Sequence, residues 1–326
     1  MTDKAKNIAK YTISGILAIF FIWLVAGKVD WAGFWSGLQQ TRWAYIALFI
    51  LASVAALVFR TLRWRDMLRG VDPEVSTLDT WDAVNVGSFA NVGLPGVGEL
   101  LRCGLVSPNR SKYSGFLGTM VMERMWDVLA IGVIIVLALS MKWNEFGSFI
   151  HDNILAAAGG RLNSELWQLA AIAVALLAVA GWAVWKYRDR YAFCGKIAGA
   201  VGGMLKGAAA TLKMKNKAAF AAYTVLIWLS YVMMSYFGLK AIPELSSLAF
   251  SDALFISAVG NLASVIPVPS GMGPYHYLVM TALSGLYACS NETGLLYAVL
   301  CHESHAILII TLGIASYMRL SLRKKK

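Results

Sequence analysis

Long apolar runs separated by short polar segments fill the chain, and this pattern predicts membrane-spanning helices. A helix needs about 20 apolar residues to cross about 30 Å of hydrocarbon, and most runs approach that length. Because the runs are continuous and do not alternate, they favour helices over the strands of a membrane barrel. The runs are residues 11–27, 43–62, 115–141, 166–186, 218–241, 274–290 and 294–318, of which 274–290 lies at the short end of the range.

The first apolar run, 11–27, follows three lysines and could also be the apolar core of a signal peptide. Its length and the further runs after it favour a first membrane helix. Two amphipathic stretches lie between the runs. The segment 29–42 is predicted to lie in the outer interface, and the segment 191–217 along the inner face.

Two weaker apolar segments, 79–106 and 250–272, are broken by glycine and proline. Each contains Val-Gly, then Asn, then Pro, then Gly-x-Gly or a close equivalent, at 86–98 and 259–273. Glycine and proline interrupt a helix and free backbone groups, which are tolerated at membrane depth only against protein or a water-filled cavity. Interrupted segments in corresponding positions of two halves are typical of transporters built from inverted repeats.

We therefore predict an all-α polytopic integral membrane protein with about seven or eight transmembrane helices. The two broken segments are interpreted as re-entrant segments of an inverted repeat that enter the membrane from opposite faces. The chain, 1–326, would form a single transmembrane domain with repeat halves at about 1–141 and 166–318. The alternative is two interfacial loops whose Gly-Pro chemistry is alike by chance.

Composition narrows the class of protein further. The chain is 58% hydrophobic and only 14% charged, where a typical soluble domain is about 25% charged. This excludes a disordered chain, a collagen and an ordinary soluble globule. No hydrophilic stretch approaches the size of a domain, so we expect no soluble catalytic domain. The cysteines, Cys103, Cys194, Cys289 and Cys301, have neither zinc-like nor disulfide-like spacing.

The net charge of +11 comes from 29 basic and 18 acidic residues. Basic residues crowd into the cytoplasmic loops of membrane proteins, and the chain has no basic stripe with interleaved aromatics that would predict nucleic-acid binding. With the amino terminus inside, 23 Lys and Arg fall on the inner side, 5 on the outer side, and Arg124 within a span. Both termini are therefore predicted to be cytoplasmic.

Charged side chains inside spans need a reason, because each costs at least about 2.5–3.5 kcal/mol on insertion scales. Glu99 and Arg102 follow the first break, where Glu99 would fall in the first turn of a helix. Glu123, Arg124 and Asp127 lie deep in the third long run, where Arg124 can pair with Asp127. We interpret these residues as a polar cavity that recognises a cationic or phosphate-bearing group, or relays a proton. Internal pairing without a ligand is the alternative.

Histidines form a third polar group. His302, Glu303 and His305 lie in the last run, and His276 follows the second break. These residues could supply metal ligands, but their spacing is not the His-Glu-x-x-His of zinc proteases. No serine-nucleophile motif stands beside a paired histidine. We predict no catalytic residue, no metal and no cofactor. Buried histidines are more often packing residues, and the role of His302, Glu303 and His305 stays open.

Four motifs together resemble the flippase-like transmembrane region of lysylphosphatidylglycerol synthases, which also occurs in stand-alone membrane proteins. The motifs are Arg63-Trp64, Asn91…Pro95-Gly96-Val97-Gly98-Glu99-Leu100-Leu101-Arg102, Glu123-Arg124-x-x-Asp127 and Pro267-x-Pro269-x-Gly271-x-Gly273. The resemblance extends over nearly the whole chain. It implies eight or so helices, two re-entrant segments, and binding or translocation of a phospholipid or a polyprenyl-linked lipid in a bacterial inner membrane.

Two differences from the synthases shape these expectations. In two-domain synthases a separate cytoplasmic domain makes the aminoacyl lipid, and we expect this chain, in which no such domain is recognised, not to be a synthase. The family commonly has an acid after the last glycine of the second broken motif. This chain has Pro274-Tyr275-His276 there, which points to a different headgroup.

We therefore predict a protein that binds and translocates an amphipathic membrane lipid and has no nucleic-acid partner. The alternatives are a membrane-embedded transferase acting on a lipid-linked substrate, and a non-catalytic partner subunit. The lipid, the direction, the energy source and the oligomeric state stay open. The residues expected to bind substrate are Asn91, Pro95, Gly98, Glu99, Arg102, Glu123, Arg124, Asp127, Asn261, Pro269, Gly271, Gly273 and His276.

Overall fold

The structure is a computed structural model. It describes two main parts of the chain, with short gaps, and a few isolated positions. The described residues are 29–94, 96–106, 112–141, 216–263, 268 and 271–323, with isolated positions 20, 23, 25, 27, 186, 195, 199 and 202. Within these ranges every regular element is helical, which confirms the all-α prediction. The predicted span 166–186 lies almost wholly outside the described residues, as do most of 11–27 and of the inner-face stretch 191–217.

Nine α-helices and one 3₁₀ turn make up this described part. The helices are α1 Trp31–Gln39, α2 Trp43–Leu68, α3 Thr77–Gly93, α4 Val97–Val106, α5 Tyr113–Met141, α6 Lys217–Ala241, α7 Phe250–Ala263, α8 Pro274–Tyr287 and α9 Asn291–Arg323, with the 3₁₀ turn Pro243–Leu245 between α6 and α7. Three of them, α2, α6 and α9, are long and apolar enough to cross a membrane. Helix α5 has 29 residues and is also of membrane length, but it carries three charged side chains near its middle.

Helices α2 and α6 form an antiparallel pair that defines the two ends of the bundle. At one end, the Arg42 N–H donates to the carbonyl oxygen of Ala241 at 2.8 Å. At the other end, Trp64 and Phe220 belong to one buried apolar cluster. Helix α3 starts beside the last residues of α2, whereas α7 starts just after Ala241. The two broken segments therefore begin at opposite ends of the bundle, as the sequence predicts.

The first broken segment is a helical hairpin of α3 and α4. The side chain of Ser76 caps α3 by accepting from the Asp79 N–H at 3.0 Å. The two helices approach so closely that a Cβ on Gly98 would overlap the carbonyl oxygen of Gly87. Only glycine permits this contact, which brings the start of α4 directly against α3. Pro95, between the helices, lies outside the described residues.

The second broken segment is a hairpin of α7 and α8. Gly271 and Gly273 have φ values of 73° and 91°, in the left-handed region that favours glycine. Helix α8 has 14 residues, which is about 21 Å of helix and too short to span the hydrocarbon. The predicted apolar run 274–290 is therefore the second arm of a hairpin and not a full span. Its helix ends at Tyr287, before a left-handed Ala288.

The start of α5 is held against the loop between α2 and α3. Lys112 Nζ lies 2.8 Å from Asp72 Oδ2. This hydrogen bond lowers the pKa of the Asp72 carboxyl. The contact fixes where α5 enters the bundle, and with it the depth of the charged residues on that helix. Helix α9 is likewise held to α3, because Arg319 pairs with Asp82 and Arg323 Nη1 lies 2.5 Å from Asp79 Oδ1.

Two main apolar cores flank the middle of the bundle. One lies near the Ala241 end and packs α6, α8 and α9 through residues such as Leu239, Leu283 and Leu295. The other lies near the Leu68 end and includes Trp64 and Phe116.

Candidate functional site

Four arginines and two carboxylates meet where α2, α4 and α5 converge, and we call this group the arginine cluster. Its members are Arg60, Arg63, Arg102, Glu123, Arg124 and Asp127. Glu123 lies at its centre. Its Oε1 accepts from Arg60 Nε at 3.1 Å and from Arg63 Nη2 at 3.4 Å, and its Oε2 accepts from Arg102 Nη2 at 2.5 Å. One carboxylate therefore ties three arginines from two helices to α5.

Asp127 is the second acceptor of the cluster. Its Oδ1 accepts from Arg63 Nη2 at 2.6 Å. The pairing with Arg124 that the sequence predicts is present as a longer contact, 3.6 Å between Arg124 Nη1 and Asp127 Oδ2. Arg63 bridges both carboxylates, and Arg124 also contacts both at 3.6 Å, so Glu123, Arg124 and Asp127 belong to one network whose shortest contacts come from other helices.

The centre of the cluster is buried, Arg124 at its edge is 40% exposed, and the cluster carries excess positive charge. Glu123 is fully buried, and the side chains of Arg63 and Arg102 are 1% and 4% exposed. Four guanidinium groups face two carboxylates, which leaves two positive charges uncompensated within the cluster. A buried charge is costly unless it is paired, so an arrangement with surplus arginine favours an anionic ligand.

Several guanidinium N–H groups in the cluster have no acceptor. Among the residues that the structure describes, the Nε groups of Arg63, Arg102 and Arg124, and Nη2 of Arg124, are buried without a hydrogen-bond partner. A phosphate offers several charged oxygens in the geometry that a guanidinium fork accepts. The unsatisfied donors and the surplus charge therefore suit the same kind of ligand.

Trp64 and Thr119 hold Arg102 in place. The guanidinium carbon of Arg102 lies 4.4 Å from the centroid of the Trp64 ring, within cation–π distance. The Trp64 Nε1–H donates to Thr119 Oγ1 at 3.2 Å, which fixes the plane of the indole. This gives a structural reason for the Arg63-Trp64 motif. Arg63 bridges the two carboxylates, and the Trp64 ring packs against Arg102.

The tip of the first hairpin is organised by Asn91. Its Oδ1 accepts from the Gly98 N–H at 2.8 Å, and its Nδ2 donates to Glu99 Oε2 at 2.9 Å. Glu99 lies in the first turn of α4, where exposed N–H groups favour a negative charge. Arg102 follows one turn later, so the hairpin tip and the arginine cluster are mechanically connected through α4.

Two adjoining cavities surround the cluster. One, of about 430 Å³, lies between the cluster and the second hairpin and is lined by Asp127, Asn261 and Tyr275, among others. The other, of about 400 Å³, lies beside the first hairpin and is lined by Asn91, Gly98, Glu99 and Arg102, among others. Residues that line both are Arg60, Arg124, His302 and His305. The two cavities therefore meet at a layer of arginine and histidine.

The predicted site residues divide into three groups. Those around the two cavities are Asn91, Gly98, Glu99, Arg102, Arg124, Asp127 and Asn261, with Glu123 buried behind them. Gly273 and His276 instead line a smaller cavity of about 210 Å³ beside α1, and no described residue lies within 4 Å of where a Cβ on Gly271 would lie. Pro95 and Pro269 lie outside the described residues.

Sequence reasoning missed Arg60 and Arg63 as site residues and counted them, with Arg102, as charges of the inner side. In the structure Arg60 and Arg63 lie within α2, and both bind Glu123. The available signal was the Arg63-Trp64 motif and the presence of carboxylates at matching depth on α5. The sequence assigns no role to His305, whose Nδ1 lies 2.6 Å from Ser53 Oγ on α2.

The fold and the site define a polytopic helical membrane protein whose buried polar centre is suited to an anionic group. The family model for the lysylphosphatidylglycerol synthase TM region matches residues 7–313, so the chain belongs to that family. A search of curated proteins and a search of solved structures give no match to the chain. Membership of this family places the protein among membrane proteins related to lipid handling.

Proposed function

We propose that this protein binds the phosphate-bearing headgroup of an amphipathic lipid, a phospholipid or a polyprenyl-linked lipid, and translocates it across the bacterial inner membrane. The arginine cluster carries the proposal. It combines surplus positive charge with unsatisfied guanidinium donors at the middle of the bundle, between two cavities. The substrate-binding roles are assigned to Arg60, Arg63, Arg102 and Arg124, with Asn91, Glu99, Asp127 and Asn261 shaping the cavities.

Translocation is supported by the way in which the cavities are built. Each is lined by one broken hairpin, and the hairpins begin at opposite ends of the bundle. In transporters with inverted repeats, a central site is reached alternately from the two sides past such segments. The layer of Arg60, Arg124, His302 and His305, common to both cavities, is where a headgroup would pass from one to the other.

The proposed binding role is tested with lipids that differ in the phosphate. Purified protein in detergent is titrated with phosphatidylglycerol and, separately, with diacylglycerol, and complexes are counted by native mass spectrometry. Arg124→Gln is expected to weaken phosphatidylglycerol binding about 10- to 100-fold, because a hydrogen bond to a charged group contributes about 1.5–3 kcal/mol. Diacylglycerol binding should not change, since that lipid has no phosphate.

Arg65→Gln is the matched control for Arg124→Gln. Arg65 lies near the end of α2 and pairs with Asp66, away from both cavities. Equal binding of both lipids by the unaltered protein would contradict a phosphate site.

Leaflet exchange of a fluorescent phospholipid in proteoliposomes then tests transport. A changed lipid mass after incubation would instead identify a transferase.

We also propose that the termini are cytoplasmic. In the structure, Arg65 and Arg69 at the end of α2 lie at the same end of the bundle as Arg319 and Arg323, because the last two pair with residues of α3. Lys240 belongs to the opposite end, at the end of α6. The clustering of basic residues at one end supports the orientation in which that end faces the cytoplasm.

The orientation predicts the reactivity of single cysteines in a variant without the natural cysteines. Ser321→Cys, near the carboxyl end of α9, should be shielded from an impermeant thiol reagent in intact cells. Ser246→Cys, in the turn that follows the 3₁₀ segment at the opposite end, should react. Labelling is measured as a mass shift on gels, with permeabilised cells as the positive control. It shows which end of the bundle faces the cytoplasm. Labelling of Ser321→Cys without labelling of Ser246→Cys would show that the topology is the opposite of the proposed one.

A further inference from the structure

Outside the arginine cluster, two imidazoles and one carboxylate converge between α8 and α9. We call His276, His302 and Glu303 the His–Glu cluster. Glu303 Oε1 lies 2.9 Å from His302 Nδ1 and 3.6 Å from His276 Nε2, and the two imidazole centroids are 4.9 Å apart. One donor atom from each residue lies within 4.8 Å of the other two. The hairpin turns do not account for this convergence, and of the three residues His302 is the one that also lines the two central cavities.

Ordinary hydrogen bonding explains only half of the arrangement. The 2.9 Å contact joins His302 to Glu303, but 3.6 Å is too long for a hydrogen bond between His276 and the same carboxylate oxygen. Both imidazoles are largely buried, with side chains 10% and 11% exposed. Two largely buried rings thus face one carboxylate oxygen.

A small divalent metal fits these separations. Zinc binds histidine nitrogen and carboxylate oxygen at about 2.0–2.2 Å, and in a tetrahedron the ligand atoms are then about 3.4 Å apart. The two separations from Glu303 Oε1 lie on either side of that value, and the donor atoms of the two imidazoles lie within 4.8 Å of each other, so side-chain movements of about 1 Å would complete three corners of a tetrahedron. Two imidazoles with one carboxylate form a ligand set that suits zinc and other late divalent transition metals.

The cluster also has a path to the surface that avoids the arginines. Glu303 is 40% exposed, and with His276 it lines the cavity of about 210 Å³ beside Trp31 of α1. Among the residues that the structure describes, no arginine lines that cavity. A cation can therefore approach from this side without meeting the repulsion of the arginine cluster.

We propose that His276, His302 and Glu303 bind one zinc-class divalent ion through three protein ligands, leaving a fourth position for water. Binding at His276 Nε2 leaves that ring's proton on Nδ1, so the long 3.4 Å contact from the Gly273 N–H is given up. Because one ligand lies on α8 and two lie on α9, the ion fastens the second arm of the broken hairpin to the last helix. This inference does not depend on the proposed lipid function.

Zinc binding by the detergent-purified full chain, without a polyhistidine tag, tests the proposal directly. We expect one zinc per chain in a competition titration with a chromophoric chelator, and a higher thermal unfolding temperature with zinc present. Substitution of a residue that only hydrogen-bonds to a metal ligand typically weakens metal binding about 10–100-fold. His302→Gln and Glu303→Gln, which remove ligands, should therefore weaken zinc binding by more than about 100-fold.

His305→Gln is the matched control, since His305 lies on the same helix but contacts Ser53 and is not part of the His–Glu cluster. It should keep full zinc affinity. Cobalt(II) added to the unaltered protein should give the visible absorption of a four-coordinate site, a measurement that needs no substitution. Absence of stoichiometric zinc binding and of that absorption, or equal affinity in all variants, would overturn the proposal.

Discussion

Replacing Glu123 with glutamine is expected to lower the free energy of unfolding by about 3–5 kcal/mol, the range seen when one partner of a buried ion pair is removed. The change keeps the shape of the side chain and removes only its charge. Arg60, Arg63 and Arg102, which all donate to this carboxylate, would then face one another with Asp127 as the remaining acid of the cluster. Thermal unfolding of the detergent-purified protein measures the loss.

Glu74→Gln is the control for Glu123→Gln. Glu74 is exposed in the loop between α2 and α3. Among the residues that the structure describes, its carboxylate forms no ion pair. Its substitution should change stability by less than about 0.5 kcal/mol. If Glu123→Gln is as stable as the control, the arginines do not depend on Glu123, and the cluster is not the electrostatic centre that its geometry indicates.

An anionic lipid should partly compensate for the loss of Glu123, and this links the stability prediction to the proposed function. A bound phosphate would supply negative charge to the same guanidinium groups. Ligand that binds only the folded state raises stability according to its concentration relative to Kd. The stabilisation by phosphatidylglycerol should therefore be at least as large in Glu123→Gln as in the unaltered protein.

The elements of the fold were largely predictable because apolar runs and helix-breaking residues act locally. The spans that became α2, α6 and α9, and the Gly-Pro breaks after α3 and α7, follow from the membrane thickness and from backbone chemistry. The apolar composition of the run 274–290 predicts a span. Its true role depends on the partner helix α7, which composition alone does not identify.

The site was predictable only where pairing is local. The contact between Arg124 and Asp127 follows from their spacing of three along a helix, but the shorter contact of Asp127 is with Arg63, on another helix. An arginine near the end of a span looks the same in sequence whether it reaches the interface or turns inward to a carboxylate. Arg60 and Arg63 turn inward, and this depends on how deep α5 places Glu123.

His276 shows the same limit for the second hairpin. From its position after the second break, the sequence predicts His276 as a substrate-binding residue. In the structure α8 presents it to α9, where it meets His302 and Glu303, while the neighbouring Tyr275 lines the central cavity. Adjacent residues of one helix turn thus serve two different cavities, and the direction of each side chain is set by packing between helices.

A single methyl group at Gly98 is expected to disrupt the first hairpin. In Gly98→Ala the new Cβ would overlap the carbonyl oxygen of Gly87 and lie 2.7 Å from Oδ1 of Asn91. The first obstacle is backbone, so no side-chain rotation relieves it and α3 must separate from α4. Overpacking of this kind costs about 1–3 kcal/mol, and we expect the upper end of that range.

The effect of Gly98→Ala should extend from stability to lipid binding. Separation of the helices lengthens the hydrogen bond from the Gly98 N–H to Asn91, which in turn holds Glu99. Helix α4 also carries Arg102, whose Nη2 lies 2.5 Å from Glu123 Oε2. A shift of α4 by even 1 Å would lengthen this contact, so phosphatidylglycerol binding should fall together with the unfolding temperature.

Gly132→Ala on α5 provides a control of opposite sign. Its Cβ would meet nothing within 4 Å among the described residues, and the position lies inside a regular helix. Alanine is favoured over glycine there by about 1 kcal/mol, so this variant should unfold at a slightly higher temperature and bind lipid normally. If Gly98→Ala behaves like Gly132→Ala in both measurements, the hairpin does not need its backbone contact. The arginine cluster would then have to be positioned by α2 and α5 alone.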